Sequence, residues 1–131
     1  MSHIVTIRTR LTDAAALAAA CRRLGLAEPA HGTAELFAGR ATGLIVQFPG
    51  WHYPAVVDTA KGEVKFDNYN GAWGAQSELD KLLQAYAVEK ARIEARRAGH
   101  TMTEQALADG SIRLTIQVEV GQVGAGAGGA G

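Results

Sequence analysis

The sequence has little of what marks several large classes of protein. It holds a single cysteine, Cys21, in 131 residues, which excludes an internal disulfide framework. Thirteen Lys and Arg residues balance thirteen Asp and Glu residues, so the chain lacks the positive charge typical of proteins that hold nucleic acid or anionic membranes by bulk electrostatics. It has no run of 18 apolar residues and no basic start before a long apolar core. We therefore expect a cytoplasmic protein with no membrane partner.

The motifs of common active sites and nucleotide sites are also missing. The four histidines and Cys21 show no metal-ligand spacing such as CxxC or HExxH, and we predict no metal and no cofactor. A GxSxG nucleophile elbow, a P-loop and a GxGxxG turn that leads into a helix are absent, which excludes nucleotide binding by those routes. Cys21 falls on the buried side of a predicted helix, where an inert core thiol is the favoured interpretation.

What the sequence does contain is an alternation of strand and helix patterns. Ser2 to Leu11 alternates as a strand with one buried face. A helix follows, with Thr12 and Asp13 as its cap residues and Leu17 and Cys21 on its apolar side, and it ends at Gly25. From Glu28 to Asp67 the apolar period is two, which predicts an antiparallel meander of three or four strands.

The second half of the chain predicts a long helix and a hairpin. Ser77 is expected to cap the helix, which ends at Gly99. An Asp109-Gly110 turn then joins two alternating strands. The predicted class is α+β, with an antiparallel sheet of about five to seven strands and two helices packed on one face, in the order β-α-β-β-β-β-α-β-β. We predict a single domain over residues 1–120 and a disordered Gly/Ala-rich tail over 121–131.

The main candidate for function is a concentration of aromatic residues in the predicted loops. Trp and Tyr dominate the energetics of protein interfaces, although core packing accounts for some of these residues. The segment from Asp67 to Gly74 is polar and contains glycine, which favours an exposed loop. The candidate binding residues are Asp67, Asn68, Tyr69, Asn70, Trp73, Trp51 and His52. No catalytic or metal-binding residue is predicted.

Two carboxylates provide the alternative hypothesis. Asp58 follows one strand and Asp67 opens the polar loop, so a hairpin that brought them together near His52 would form a cleft suited to acid and base chemistry. Aspartate at a strand end is more often an acceptor for the backbone amides of its own turn. The alternative function is a small-molecule or nucleotide sensor, or a small enzyme, with a cleft near the Asp67 to Gly74 loop. Binding of single-stranded nucleic acid on the sheet is disfavoured, because the strands are aliphatic.

Several segments resemble a known domain family. They are the opening Met1-Ser-His, Tyr53 to Asp58, Gln84-Ala-Tyr86-Ala87, Gly99, and the Asp109-Gly-Ser-Ile-Arg-Leu114 hairpin. They are similar to a domain family of unknown function that includes a hypothetical chloroplast reading frame of plastids and cyanobacteria. Asp67-Asn-Tyr-Asn-Gly71, Trp73-Gly74 and Tyr86-Ala-Val-Glu-Lys90 resemble its planctomycete-type bacterial branch.

The resemblance covers residues 1–120 and adds context rather than chemistry. It implies a small, soluble bacterial protein encoded near an AAA-type ATPase and a second tiny domain protein, and it supplies no catalytic residues. Together with the aromatic loop and the missing catalytic motifs, it predicts a non-enzymatic accessory or adaptor domain that binds another protein. The candidate partner is an AAA-type ATPase subunit, or a second copy of the chain in a homo-oligomer.

Overall fold

The computed structural model describes residues 4–8 and 10–118. The tail predicted over 121–131 lies outside the described residues. Backbone contacts divide the chain into two compact units, Met1–Glu89 and Lys90–Gly131, which are named the first and the second unit. The single domain over residues 1–120 stays a prediction.

The observed class is α+β with two helices and antiparallel strands, as predicted, but the strand grouping differs. In chain order the elements are β1 (Val5–Arg8), α1 (Ala14–Arg23), β2 (Ala30–Leu36), β3 (Gly39–Val46), β4 (Ala55–Asp58), β5 (Glu63–Phe66), a 3-10 turn (Tyr69–Gly71), α2 (Gln76–Arg97), β6 (Thr101–Ala106) and β7 (Ile112–Gln117). Five strands form one sheet in the order β1-β5-β4-β3-β2, and β6 and β7 form a separate two-stranded sheet. Alternation shows which side chains share a face of a strand, and it does not show which strand is the neighbour. That both helices pack on one face of the sheet stays a prediction.

In the turn between β4 and β5, Asp58 has the role that is usual for an aspartate at a strand end. The Asp58 carboxylate accepts hydrogen bonds from the N–H groups of Ala60 at 3.0 Å and Lys61 at 3.2 Å. The N–H of Gly62 donates to the Asp58 carbonyl at 2.7 Å, and Gly62 has a φ of +69°, which glycine adopts without steric cost. Pro54 precedes β4, a strand in the middle of the sheet, so this proline starts a strand rather than protecting an edge.

Both faces of the five-stranded sheet carry buried apolar residues. On one face Val57 lies opposite Val64, and both are fully buried. On the other face Ala34 lies opposite Ala41, and both pack with Leu36 in a second apolar cluster. The partly buried residues packed against this second cluster are Ile4, Ile45 and Tyr53. The sheet is therefore the centre of the first unit rather than its outer wall.

The first helix, α1, follows its sequence signals closely. The Asp13 carboxylate accepts hydrogen bonds from the N–H groups of Ala15 at 2.9 Å and Ala16 at 3.1 Å, which satisfies amides at the start of the helix that lack an intrahelical partner. Leu17 and Cys21 are fully buried, as their spacing predicts.

The second helix starts earlier than predicted. α2 begins at Gln76, so Ser77 lies inside the first turn and the prediction that it caps the helix is wrong. The Tyr86 hydroxyl accepts a hydrogen bond from the N–H of Asp13 at 3.0 Å and donates one to the Arg10 carbonyl at 3.2 Å. This contact joins α2 to the segment that leads into α1. Over residues 4–8 and 10–118, neither helix has the length and apolar character that crossing a membrane requires.

The second unit contains the last turns of α2 and the β6–β7 hairpin. Asp109 accepts hydrogen bonds from the hydroxyl of Ser111 at 2.6 Å and from its N–H at 2.9 Å, and these bonds hold the pKa of the Asp109 carboxyl below its ordinary value. Gly110 has a φ of +90°, so the Asp109-Gly110 turn is confirmed. An ion pair between Arg92 and Glu104 joins α2 to β6.

Candidate functional site

Aromatic side chains from three separate segments meet at Trp73. The Trp73 ring centroid lies 4.8 Å from that of Tyr69 and 5.2 Å from that of Phe37. The His52 ring stacks on it nearly parallel, at 5.7 Å and 14°, and the Tyr53 ring meets it edge-on at 5.7 Å. All four separations fall in the range over which aromatic pairs attract each other. These five residues are named the Trp73 cluster.

The Trp73 cluster lies at the surface of the first unit. Phe37 is 60% exposed and Tyr69 is 40% exposed, His52 is exposed, and Trp73 and Tyr53 are half-buried. Large apolar side chains on a monomer are normally exposed one at a time, and adjoining exposed ones mark interaction surfaces. The arrangement is therefore typical of a surface that another molecule covers.

The loop that carries Tyr69 and Trp73 holds an unusual backbone conformation. Tyr69 has a φ of +49° and Asn70 a φ of +53°, so two consecutive non-glycine residues lie in the left-handed region. This conformation costs roughly 1–2 kcal/mol per residue, and asparagine tolerates it better than tyrosine. Such strain persists only where the surroundings enforce it, and it is concentrated at functional sites.

The hydrogen bonds of Asn68 enforce this loop conformation. Its carbonyl accepts from the N–H groups of Gly71 and Trp73, both at 2.9 Å, and its side-chain amide donates to the carbonyl of Gly74 at 3.2 Å. The N–H of His52 donates to the Trp73 carbonyl at 2.8 Å. The loop that carries the Tyr69 and Trp73 rings is therefore held in its conformation by hydrogen bonds within the chain.

Trp51 is buried in the core next to this loop and is not part of the exposed surface. It is only 6% exposed, and its ring centroid lies 4.9 Å from that of Phe48 and 5.9 Å from that of Phe66. Its indole N–H donates to the carbonyl of Ala75 at 3.1 Å. Trp51 thus ties the start of α2 to the end of the five-stranded sheet.

Asp67 and Asp58 lie at opposite ends of β5. Asp58 is paired with Glu63, the first residue of the strand, whereas Asp67 follows Phe66, the last one. Four residues of extended chain separate these ends by roughly 13 Å, so the two carboxylates do not meet. Asp67 is 1% exposed, and among the described residues neither of its carboxylate oxygens has a hydrogen-bond partner.

Because the Asp67 carboxylate is buried without a hydrogen-bond partner among the described residues, its replacement should change the stability of the fold. Asp67→Asn should raise the free energy of unfolding by about 1–3 kcal/mol, because burying an uncharged amide costs less than burying an unpaired carboxylate. Asp58→Asn is the matched control and should change it by less than about 0.5 kcal/mol, because the amide oxygen accepts the same two backbone hydrogen bonds. Urea denaturation measures both. A loss of stability in Asp67→Asn would mean that this carboxylate has a partner.

The structure separates the predicted binding residues into a surface group and a buried group. The surface group is Tyr69, Asn70, Trp73 and His52, and the buried group is Asp67, Asn68 and Trp51. Two members of the Trp73 cluster, Phe37 and Tyr53, were not among the predicted binding residues. Phe37 occupies the two-residue turn between β2 and β3, since Leu36 pairs with Gly39. A large aromatic residue where turns normally carry small or polar ones is the signal that would have identified it.

Among the described residues, Cys21 and the potential metal ligands form no second site. Burial raises the pKa of the Cys21 thiol, which keeps it protonated and unreactive. Over residues 4–8 and 10–118, no group of three or more His, Cys, Asp or Glu side chains is placed to hold a metal ion.

Comparison of the chain with models of protein families, with curated proteins and with solved structures finds no match. The resemblance to the domain family of plastids and cyanobacteria therefore stays a prediction, and the partner that it implies is a proposal.

Proposed function

We propose that this chain is a non-enzymatic accessory domain that binds another protein through the Trp73 cluster. The observation that carries the proposal is the convergence on Trp73 of four aromatic rings, two of which, those of Phe37 and Tyr69, are the most exposed large apolar rings of the described residues. Tryptophan and tyrosine contribute most to the hot spots of protein interfaces, where adjoining residues exclude water from them.

The charges near the cluster favour a protein partner over a nucleic acid. Next to Phe37 in the β2–β3 hairpin, the Arg40 guanidinium lies 2.8 Å from the carboxylate of Glu35, so its charge is balanced locally. Proteins that bind single strands on aromatic residues combine them with a positively charged groove along the phosphates. Beside Phe37, the cation that would contribute to such a groove is paired with an acid.

The rigidity of the loop supports binding without a large entropic cost. Asn68 and the Trp73 carbonyl already make the hydrogen bonds that define the loop. Binding free energy is reduced by whatever must be ordered on association, and a preformed loop keeps that reduction small.

The partner that we propose is an AAA-type ATPase subunit. This choice rests on the resemblance of segments such as Tyr53 to Asp58 and Asp109 to Leu114 to a family whose members are encoded near such ATPases. The alternative proposal, a small-molecule or nucleotide sensor or a small enzyme, has less support, because the acids that it requires, Asp58 and Asp67, lie at opposite ends of β5.

Replacement of Trp73 tests the proposal. Trp73→Ala should weaken binding to the AAA-type ATPase of the source genome by about 2 kcal/mol, or about 30-fold in Kd, because it removes the ring that the other four contact. Isothermal titration calorimetry measures the Kd, and circular dichroism confirms that the variant is folded.

The control is Lys61→Ala, which changes an exposed side chain in the turn at the other end of β5. It should leave the Kd unchanged. Equal affinity of Trp73→Ala and the unchanged chain would overturn the assignment of the surface. Absence of binding by the unchanged chain would overturn the choice of partner. A metabolite that stabilises the chain, with an effect that Asp67→Asn abolishes, would favour the sensor.

A further inference from the structure

A cleft in the second unit lies between the last turns of α2 and the start of β6. It has a volume of about 250 Å³ and opens to solvent. The residues that line it are Arg92, Ala95, Arg96, His100, Thr101 and Met102. These lining residues supply three basic side chains and a hydroxyl, and no carboxylate is among them. The cleft is named the Arg96 cleft.

The end of α2 brings the basic side chains of the cleft together. Arg92 and Arg96 are four residues apart, so they share one face of the helix. Gly99 has a φ of +78°, and the N–H of His100 donates to the carbonyl of Ala95 at 2.8 Å, the bond that closes a Schellman-type helix end. This turn reverses the chain into β6, and His100 therefore lines the same cleft as the two arginines.

The arginines near the end of α2 differ in how their charges are balanced. Arg92 forms an ion pair with Glu104 of β6, and Arg97 forms one with Glu94 at 3.3 Å. Arg96 makes no ion pair with any residue that the structure describes. Arg96 therefore gives the cleft a positive charge that the chain itself does not neutralise.

Stabilisation of the helix dipole explains part of this pattern. Cations are favourable near the C-terminal end of a helix, and Arg96 and Arg97 lie in the last turn of α2. His100 and Thr101 lie beyond the helix, and Arg92 lies more than one turn before its end. The dipole therefore does not account for the convergence of these side chains on one cleft.

We propose that the Arg96 cleft binds a phosphate group, either as free phosphate or as the monoester of a small molecule. The guanidinium of Arg96 presents parallel N–H groups whose spacing matches two phosphate oxygens. The imidazole of His100 and the hydroxyl of Thr101 add donors for a further oxygen. Ala95, which is 5% exposed, forms the floor of the cleft, and its small side chain leaves the space between Arg92 and Arg96 open.

The number of donors and their charge favour phosphate over other anions. A carboxylate has two oxygens and a single negative charge, so it would leave some of the donors from Arg96, His100 and Thr101 without an acceptor. A phosphate group has more oxygens and, at neutral pH, a charge of about −1.5 to −2. The site belongs to the second unit, and it goes beyond the proposed function.

An NMR titration with inorganic phosphate and with glucose 6-phosphate tests the proposal. Each ligand replaces sodium chloride, so that the ionic strength stays constant. The amide resonances of residues 99–102 should shift along a saturable curve with a Kd of about 1 mM or below. Tighter binding of glucose 6-phosphate would identify a monoester as the ligand, and equal or weaker binding would identify free phosphate. The absence of a saturable shift with either ligand, or an equal shift with glucose, would overturn the proposal.

Two neighbouring arginines separate a built site from general attraction by positive charge. Arg96→Ala should raise the Kd for phosphate by at least about tenfold, because it removes a charge-assisted contact. Arg97→Ala is the matched control, since it removes the same charge from the same helical turn but does not line the cleft. It should change the Kd by less than about twofold. An equal loss of affinity in both variants would show that no built site exists.

Ala95→Leu tests the cleft itself, because it fills the space without changing any charge. It should abolish the saturable shift, with circular dichroism confirming that the variant is folded. If it does not fold, Thr101→Val provides the second measurement, since it keeps the β-branched shape in the strand and removes only the hydroxyl. It should raise the Kd about fivefold. An unchanged Kd in folded Ala95→Leu, or in Thr101→Val, would contradict the placement of the phosphate group in the Arg96 cleft.

Discussion

Replacing Trp51 with alanine should lower the free energy of unfolding by about 3–5 kcal/mol, the range observed for truncating a large buried aromatic side chain. The ring of Trp51 fills the space between Phe48 and Phe66, and its indole N–H satisfies the carbonyl of Ala75. The variant loses the apolar contacts, leaves a cavity and exposes the start of α2. Small domains have about 5–15 kcal/mol of stability in total, so we expect a large fall in the urea midpoint.

The matched control is the other tryptophan. Trp73→Ala should cost about 1 kcal/mol, because the Trp73 ring is half-buried and two of its neighbours, Phe37 and Tyr69, are themselves exposed. Trp51→Phe keeps a ring in the core and loses the hydrogen bond to Ala75, and it remains measurable if Trp51→Ala does not fold. Its expected cost is about 1–2 kcal/mol. Equal losses of unfolding free energy in Trp51→Ala and Trp73→Ala would contradict the assignment of Trp51 to the core and of Trp73 to the surface.

Gly43→Ala should destabilise the protein by about 3 kcal/mol, the upper part of the range for overpacking. A methyl group at Gly43 would clash with the carbonyl oxygen of Val57 and lie 2.9 Å from its carbonyl carbon. Val57 belongs to β4, in the middle of the sheet, and its backbone has no free direction in which to move. Relief of the clash requires β3 and β4 to separate. Urea denaturation followed by circular dichroism measures the loss.

Gly32→Ala provides the control for this substitution. Gly32 is paired with Gly43 across the β2–β3 ladder, and a methyl group there would lie 3.3 Å from the terminal methyl of Ile45. That group is the flexible end of a side chain and moves aside. The expected change is less than about 0.5 kcal/mol. A comparable loss in both variants would show that the close approach of β3 and β4 is not what requires glycine at position 43.

The parts of the fold that sequence reasoning predicted are those governed by local chemistry. The Asp13 cap of α1 and the turns at Asp58 and Asp109 each depend on one carboxylate and amides within three residues of it. The separation of the β6–β7 hairpin from the five-stranded sheet depends on which strands become neighbours, and strand patterns carry no information on that. The start of α2 was misplaced because Ser77 has the chemistry of a cap but lies within the first turn.

The candidate site was predicted in part for the same reason. The polar loop around Tyr69 and Trp73 is visible in the sequence, because its glycine and asparagine residues interrupt the periodic segments. The contact of Phe37 with Trp73 joins the β2–β3 turn to a loop far along the chain, and no local sequence pattern predicts that contact. The buried position of Trp51 depends on Gly74, because a methyl group there would lie 2.5 Å from the Trp51 ring. Only the folded structure shows that this glycine makes room for Trp51.

A 19F NMR titration measures directly whether the Trp73 cluster contacts a partner. The chain holds two tryptophans, Trp51 and Trp73, so labelling with 5-fluorotryptophan gives two resonances, which Trp73→Phe assigns. On addition of the AAA-type ATPase subunit, the Trp73 resonance should shift or broaden, while the resonance of the buried Trp51 should keep its position. A Trp73 resonance that stays unchanged while the ATPase binds would contradict the assignment of this surface.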